Sequence, residues 1–399
     1  MELATRILHP APIEEAAFDG LSAPLVRAST LVFRDVRSFL SRGDRFFDGY
    51  SYALYGHPAS RELERRIAAL EGAVRAIAVP SGLCAISLVN LSMLASGDQV
   101  LVPDSVYSPA RVACDEMLAS FGIRATYYDP VDLSVAIAEC GEEIKLIWVE
   151  SPGSLTMEMQ DLPAICALAK QRGVKVAVDN TWASPLNHRP IELGADISIQ
   201  AISKHVGGHS DLILGTVATA NETDFRVIKT RARHLGLGVS PDDCWLALRG
   251  LETLAVRLQR QERTALELAL WLDAHPSVSK VLFPALPVDD GHDLWKRDFH
   301  GACGVFSVVL MDTSIDAASA FIERLKLFKI GASWGGTRSL IAPSDPSQHR
   351  TATCRPHGLI IRISVGLEDT ADLIADLDQA LSVLSIAQRD ASPHRLASI

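Results

Sequence analysis

The residue best placed to do chemistry is Lys204. The stretch from Asp196 to Gly215 reads DISIQAISKHVGGHSDLILG: an apolar, β-branched run reaches Lys204 and then passes at once into His205, Gly207, Gly208, His209, Ser210 and Asp211. A lysine at the end of a buried strand is poorly solvated. Burial lowers its pKa and leaves a nucleophilic amine that can form a Schiff base with an aldehyde. Taken alone, the plainer reading is a solvated loop lysine. Its company changes that reading. Asp179 and Asn180 end the run VKVAVDN. The turn Ser81-Gly82-Leu83 follows AIAVP and opens a helix, which aims backbone N–H groups at an anion. Tyr107 follows QVLVP, and Arg362 sits in IIRIS.

These residues come from distant segments, so a particular framework must gather them. Short apolar runs at 76–80, 99–103, 145–151, 174–180, 196–203 and 213–220 read as strands, and the segments at 83–94, 108–121 and 162–173 read as helices. An earlier helix starts near Ser60, carries the stripe Leu63, Ile67, Leu70 and stops at Gly72. Strands alternating with helices predict an α/β fold with a mainly parallel sheet covered on both faces. Ligands in such sheets sit beyond the C-terminal strand ends, where Ser81, Tyr107, Asp179 and Lys204 all fall. Past residue 245 the pattern changes: a long helix at 245–275 with a kink at Gly250, a strand at 304–310, a helix at 316–327, a strand at 359–366 and a final helix at 370–387. That predicts a smaller α+β domain with an antiparallel sheet. The expected divisions are an N-terminal arm over 1–60, a large domain over 61–250 and a C-terminal domain over 251–399. The arm crowds Phe46, Phe47, Tyr50, Tyr52 and Tyr55 together, as a segment that packs on another subunit would.

Bulk properties exclude several classes. The net charge of −10 and the lack of a basic run argue against nucleic acid. Seven scattered cysteines with no C-x-x-C pair fit a reducing cytoplasm better than a disulfide framework or cysteine zinc site. The N-terminus MELATRILHPAPIEE does not read as a signal peptide, and no apolar run reaches transmembrane length. His188, His209, His234, His292 and His300 have no metal-ligand spacing, so no metal is expected. Glu64 and Glu71 read as solvated helix residues, and Trp245, Trp271 and Trp295 as core or interface.

A lysine, a strand-end carboxylate, an anion-binding turn, an aromatic side chain and an arginine are the parts needed to use pyridoxal 5′-phosphate (PLP) on an amino acid. They form the Schiff base, pair with the pyridinium, cradle the phosphate, face the ring and hold the substrate carboxylate, respectively. The sequence also resembles a known family along nearly its whole length. VPSGLCAIS (79–87), DSVYSPAR (104–111), WVESPGSLTMEMQDLPAI (148–165), VAVDNTWASPL (176–186), ADISIQAISKHVGGHSDLILGT (195–216), ASWGG (332–336) and RISVGLEDTADLIADLDQAL (362–381) are similar to the Cys/Met-metabolism family of PLP-dependent enzymes, and within it to bacterial cystathionine β-lyases.

The resemblance implies a PLP-dependent transferase-like fold of the aspartate aminotransferase type (fold type I). It implies that Lys204 holds the cofactor and moves protons, and that Asp179, 25 residues earlier, pairs with the pyridinium. Tyr107 would stack on the ring and help activate the substrate amine. Ser81, Gly82, Leu83 and Ser203 would hold the phosphate, with Tyr52 reaching the phosphate of a neighbouring subunit. Arg362 would clamp the substrate carboxylate beside Ser333 and Trp334. A homotetramer built from active dimers is expected. So is carbon–sulfur β-elimination, converting cystathionine to homocysteine, pyruvate and ammonia on the route to methionine.

Ala201, Trp334 and SPGSLT resemble β-lyases, where γ-enzymes usually have serine and leucine at the first two positions. Departures are also present. Tyr52-Ala53-Leu54 lacks the family's arm arginine, for which His57 is a candidate substitute. His205 replaces a tyrosine, Ala332 stands where one branch has tyrosine, and Thr337-Arg338 follows WGG and places Arg338 near the substrate mouth. The alternatives are γ-elimination or γ-substitution, β-elimination from another S-substituted cysteine, and an inactive PLP-fold binding protein.

Overall fold

A computed structural model describes residues 24–390, apart from 135–136, 138–140, 142, 349 and 354–357. The reading of 1–23, Cys140, Cys354 and the polar end of the tail at 391–399 lies outside the described residues. The main sheet has seven strands: β1 Arg75–Val79, β2 Gln99–Pro103, β3 Arg124–Tyr128, β4 Ile144–Glu150, β5 Lys175–Asp179, β6 Ile197–Ala201 and β7 Gly215–Thr219, in the order β1-β7-β6-β5-β4-β2-β3. The pairs β3-β2, β2-β4, β4-β5 and β5-β6 are parallel, while β7 runs antiparallel to both β6 and β1. The expected mainly parallel sheet is therefore present.

The two-residue strand period explains how this sheet is covered on both faces. Along β4, Leu146 and Trp148 pack into one apolar cluster with Val100, Ile199 and Phe225, while Ile147 and Val149 pack into another with Ile165 and Val176. Each fully buried aliphatic side chain of this kind contributes about 1.5–3 kcal/mol relative to exposure. A second sheet follows, made of β8 Val278–Leu282, β9 Val305–Leu310, β10 Lys329–Ile330, β11 Leu340–Ser344 and β12 Ile360–Ser364, in the order β10-β11-β12-β9-β8. It is antiparallel except for the short β10-β11 pair.

Several expectations are corrected. The first long helix is Pro58–Glu71, and its cap is His57 rather than Ser60. His57 Nδ1 accepts from Ser60 N at 3.2 Å, Ser60 Oγ accepts from His57 N at 3.0 Å, and Pro58 supplies a preset φ in the first turn. Gly72 does close this helix, at φ +65°. Glu64 and Glu71 are buried, not solvated. Glu64 accepts from Ala78 N at 3.2 Å and meets Arg61 and Lys229, and Glu71 accepts from Gln200 Nε2 at 2.9 Å, with burial pushing its pKa up to about 7. The long helix beyond 245 is two helices, Pro241–Leu251 and Leu254–Asp273. Gly250 is required by packing, because a Cβ there would lie 2.2 Å from the Val206 carbonyl oxygen. The strands β3, β8 and β11 and the helices Glu222–His234 and His292–Asp298 were not read from the sequence.

Part of the aromatic arm packs on its own chain. Phe46 is buried and meets Tyr55 edge-on, and Phe47 leans on Phe225. Tyr50 and Tyr52 remain exposed.

Candidate active site

The C-terminal ends of β4, β5 and β6 open into one cleft of about 460 Å³. Nine residues singled out in the sequence line it: Ser81, Gly82 and Leu83, Tyr107, Asp179, Ser203 and Lys204, and, from the far side, Trp334 and Arg362. Ser333 joins them by accepting a hydrogen bond from Lys204 Nζ at 2.7 Å. Tyr52 lies elsewhere, in a surface recess with Leu40, Arg42 and Arg233. Two expectations, on His57 and Arg338, fail. His57 is buried as a helix cap, with Nε2 3.2 Å from the Val239 carbonyl, so it does not replace the missing arginine. Arg338 is exposed and is not among the residues lining the cleft.

The anion turn is built by close packing. Ser81 caps the helix Gly82–Met93 by accepting from Cys84 N at 3.0 Å, which leaves the first-turn N–H groups of Gly82 and Leu83 without helical partners. Beneath the turn, Gly215 at the start of β7 touches it so closely that a Cβ would lie 2.3 Å from the Ser81 carbonyl oxygen. A Cβ on Gly82 would lie 2.7 Å from that of Ala201. The cup is therefore shaped by two missing side chains and by the small residue at 201.

Lys204 follows β6 in a turn whose backbone is fixed from behind. Arg257, buried in the helix Leu254–Asp273, donates to the carbonyls of His205 at 2.7 Å, Gly250 at 2.8 Å and Val206 at 3.3 Å. His205 is also buried, with Nε2 3.0 Å from the Trp182 carbonyl, and its ring lies 5.1 Å from that of Trp334. Burial, and to a lesser degree Arg362, push the Lys204 ammonium down to about 8, with Asp179 acting in the opposite direction. The Trp334 ring lies 5.3 Å from Lys204 Nζ.

At the end of β5, burial raises the Asp179 carboxyl above its ordinary value. The Thr181 N–H and hydroxyl, both donating to Asp179 Oδ1 at 3.0 and 2.5 Å, work against that rise, as does Lys204. Across the cleft, Arg362 donates to the carbonyls of Gly331 at 3.1 Å and Ser333 at 3.2 Å, while its Nε is buried without a partner. An unpaired buried guanidinium N–H is costly and suits an incoming carboxylate.

Three contributors were missed in the sequence: Glu150, Thr181 and Arg257. Glu150 is next to last in KLIWVES as Asp179 is in VKVAVDN, so position near the strand end could have exposed it. Arg257 lies in an amphipathic helix and carried no comparable signal.

A mainly parallel α/β sheet with a lysine, a carboxylate and an anion turn at its strand ends, faced by an arginine from the second sheet, defines the fold type I class of PLP-dependent enzymes. The residues present suit that cofactor: a half-buried amine with a depressed pKa, a glycine-shaped anion cup and a half-buried carboxylate. Residues 4–382 match the family model described as Cys/Met metabolism PLP-dependent enzyme, and the chain belongs to that family. It is 41% identical to a Rhizobium johnstonii protein provisionally named cystathionine beta-lyase, over 96% of both chains. It is 36% identical to the L-alanine/L-glutamate racemase of Wolbachia pipientis wMel, over 92% of this chain and 93% of that one. The crystal structure of metB from Corynebacterium glutamicum superposes with a TM-score of 0.85 at 30% identity, covering 93% of this chain and 95% of that one. Relatives named cystathionine beta-lyase, gamma-lyase and gamma-synthase also match over most of their lengths. The protein is a PLP-dependent enzyme of Cys/Met metabolism. Among the described residues no group of side chains is arranged to hold a metal ion, and no helix is long and apolar enough to cross a membrane.

Proposed function

We propose that this enzyme is a carbon–sulfur β-lyase acting on a sulfur amino acid, with cystathionine as the first candidate. The observation that carries the reading is the gathering of Lys204, Asp179, Tyr107 and Arg362 in one cleft, beside the β-lyase-like Trp334 and Ala201. PLP, when bound, supplies an electron sink for the negative charge left at Cα when its proton is removed. Lys204 Nζ, with its depressed pKa, would hold the cofactor and then take the proton from Cα and pass it to the departing sulfur. Asp179 pairs with the pyridinium nitrogen. Ser81, Gly82, Leu83 and Ser203 hold the phosphate. Tyr107 faces the ring and orients the substrate amine. The free Nε of Arg362 takes up the substrate carboxylate, with Ser333 and Trp334 beside it. Elimination forms a Cα–Cβ double bond as the Cβ–S bond breaks, the sulfur leaves as a thiol, and water hydrolyses the released aminoacrylate to pyruvate and ammonia.

The reading includes a homotetramer of active dimers, in which the exposed Tyr52 reaches the partner's phosphate, and a cytoplasmic location. It also includes an arm over 1–60, a cofactor domain over 61–250 and a C-terminal domain over 251–399. A panel of sulfur amino acids assayed for pyruvate, 2-oxobutanoate and free thiol tests the chemistry. Pyruvate with homocysteine from cystathionine is expected; 2-oxobutanoate would overturn the β-lyase reading in favour of a γ-lyase.

A second reading is favoured by the Wolbachia relative named as a racemase. Removal and return of the Cα proton without a leaving group racemises an amino acid, using the same lysine. Formation of D-alanine from L-alanine, with no pyruvate from cystathionine, would select it.

A further inference from the structure

Glu150 has no part in the chemistry above, yet it sits beneath the cofactor cleft. It ends β4 in register with Asp179 at the end of β5, so the two carboxyls stand on neighbouring parallel strands. Its side chain is buried and lines both the main cleft and a small recess walled by Val102, Ala110 and Trp148. Its partners are neutral donors: Tyr107 N–H at 2.8 Å on Oε2, and the Ser154 hydroxyl on Oε1. Other enclosed carboxylates of this protein do have cations, as Asp104 has Arg111 and Glu158 has Arg350, while buried Glu71, like Glu150, has only neutral donors. Among the described residues Glu150 makes no such pair.

We propose that Glu150 is a positioning residue that works as a neutral carboxylic acid, anchoring Tyr107 and the 153–157 loop while leaving Asp179 the single negative charge at the pyridinium. This rests on the reading of Asp179 as the pyridinium partner. One pyridinium charge balances one carboxylate. A second ionised carboxylate in the same desolvated place would have no counter-charge, so the proton stays. Burial first, and Asp179 second, push the Glu150 carboxyl up to about 8. The other titratable groups near it are Tyr107 on the helix side, Cys114 in the recess, and Lys204 and Arg362 across the cleft. A protonated Glu150 keeps one oxygen as acceptor for Tyr107 N–H and can donate from the other to Ser154. That second bond restrains a loop in which Leu155 and Met157 hold positive φ values of 67° and 60°, conformations that side-chain-bearing residues resist.

The test is infrared spectroscopy of the PLP-loaded enzyme at neutral pH, with ¹³C-glutamate labelling. The expected result is a carbonyl band of a protonated acid that shifts on labelling and disappears in Glu150→Gln. The pH titration of the cofactor absorbance in Glu150→Gln should overlay that of the unmodified enzyme, because one neutral group replaces another. Glu150→Met, which cannot accept from Tyr107, should raise substrate KM by about tenfold or more with PLP affinity retained. No labelled acid band in the unmodified enzyme, or a cofactor titration displaced by about one pH unit or more in Glu150→Gln, would overturn the proposal. Absence of any labelled acid band in the unmodified protein overturns the proposal even if the Glu150 variants fail to fold, and a band that persists in Glu71→Gln is not that of the other buried glutamate. Asp179→Asn separates the underlying reading: unchanged PLP affinity and cofactor titration there would refute the pyridinium assignment, whereas the band lost in Glu150→Gln reports the protonation of Glu150.

Discussion

Lys204 gains its reactivity from its surroundings. Its amine is half-buried and faces Arg362, so its pKa falls from the usual 10.5 to about 8. Only the neutral amine attacks an aldehyde, so the rate of PLP uptake by apoprotein should climb with pH and reach half its maximum near pH 8, not near 10.5. Stopped-flow absorbance measures this, and Lys204→Ala should abolish covalent attachment. His205 and His188 behave differently. Burial drives both down to about 3, and each stays neutral in the folded protein. The unfolded chain protonates them near 6.5. Their contribution to stability is complete above pH 6.5 and is lost as pH falls toward 3, at up to about 1.4 kcal/mol per pH unit for each. His205→Asn should flatten the acid limb of the stability curve by about one proton, as read by denaturant melts at successive pH values.

At the scale of elements, the anion cup depends on how closely β7 approaches the helix that begins at Gly82. Gly215→Ala would put a methyl carbon 2.3 Å from the Ser81 carbonyl. Backbone must shift to relieve it, and overpacking of this kind costs about 1–3 kcal/mol. The shift falls on the phosphate turn, so PLP affinity should drop by about tenfold or more in equilibrium dialysis. The turn after Lys204 is held in another way. Arg257 bonds three backbone carbonyls, from His205, Val206 and Gly250, with no carboxylate partner. Arg257→Leu keeps apolar bulk but takes the guanidinium from the His205 and Val206 carbonyls, while Gly250 still accepts from Thr253. A loss of about 2–4 kcal/mol in stability is expected, measurable in urea melts.

At the scale of the whole molecule, the two sheets are tied across the cleft by residues distant from the chemistry. The Asp104 carboxylate, just past β2, accepts from the backbone N–H groups of Thr351, Ala352 and Thr353 at 3.0, 3.1 and 2.8 Å and from Arg111 at 2.5 Å. Nearby, Arg350 bonds Glu158 at 2.6 Å and also Thr156, on the segment that continues from the Ser154 loop. This strap links the β11–β12 connection to the strand-end loops of the main sheet. Asp104→Asn removes the charge that holds it. Hydrogen exchange at 351–353 should then speed up markedly while that of β4–β6 stays unchanged; protection retained at 351–353 would show that the strap is held by other contacts.

Much of the fold and site was legible because it depends on local pattern. Continuous apolar strands bounded by glycine turns specify a covered parallel sheet, and that topology by itself sends Ser81, Tyr107, Asp179 and Lys204 to one edge. The segments that bind them in place were not legible. Glu64 and Glu71 have the sequence look of surface helix residues, yet long-range partners, Ala78, Lys229 and Gln200, make their burial tolerable. His57 looked available to a phosphate until the capping box used its ring. Arg257, Glu150 and the Asp104 strap act through backbone groups far away in the chain, and backbone N–H and C=O groups leave no trace in residue type. The sequence alone determined which side chains stand around Lys204, because their positions at and beyond strand ends follow from local pattern. Only the tertiary structure decided which charges are buried, which backbone groups they satisfy and how tightly the glycines close the cup, because those depend on what the fold brings against each residue.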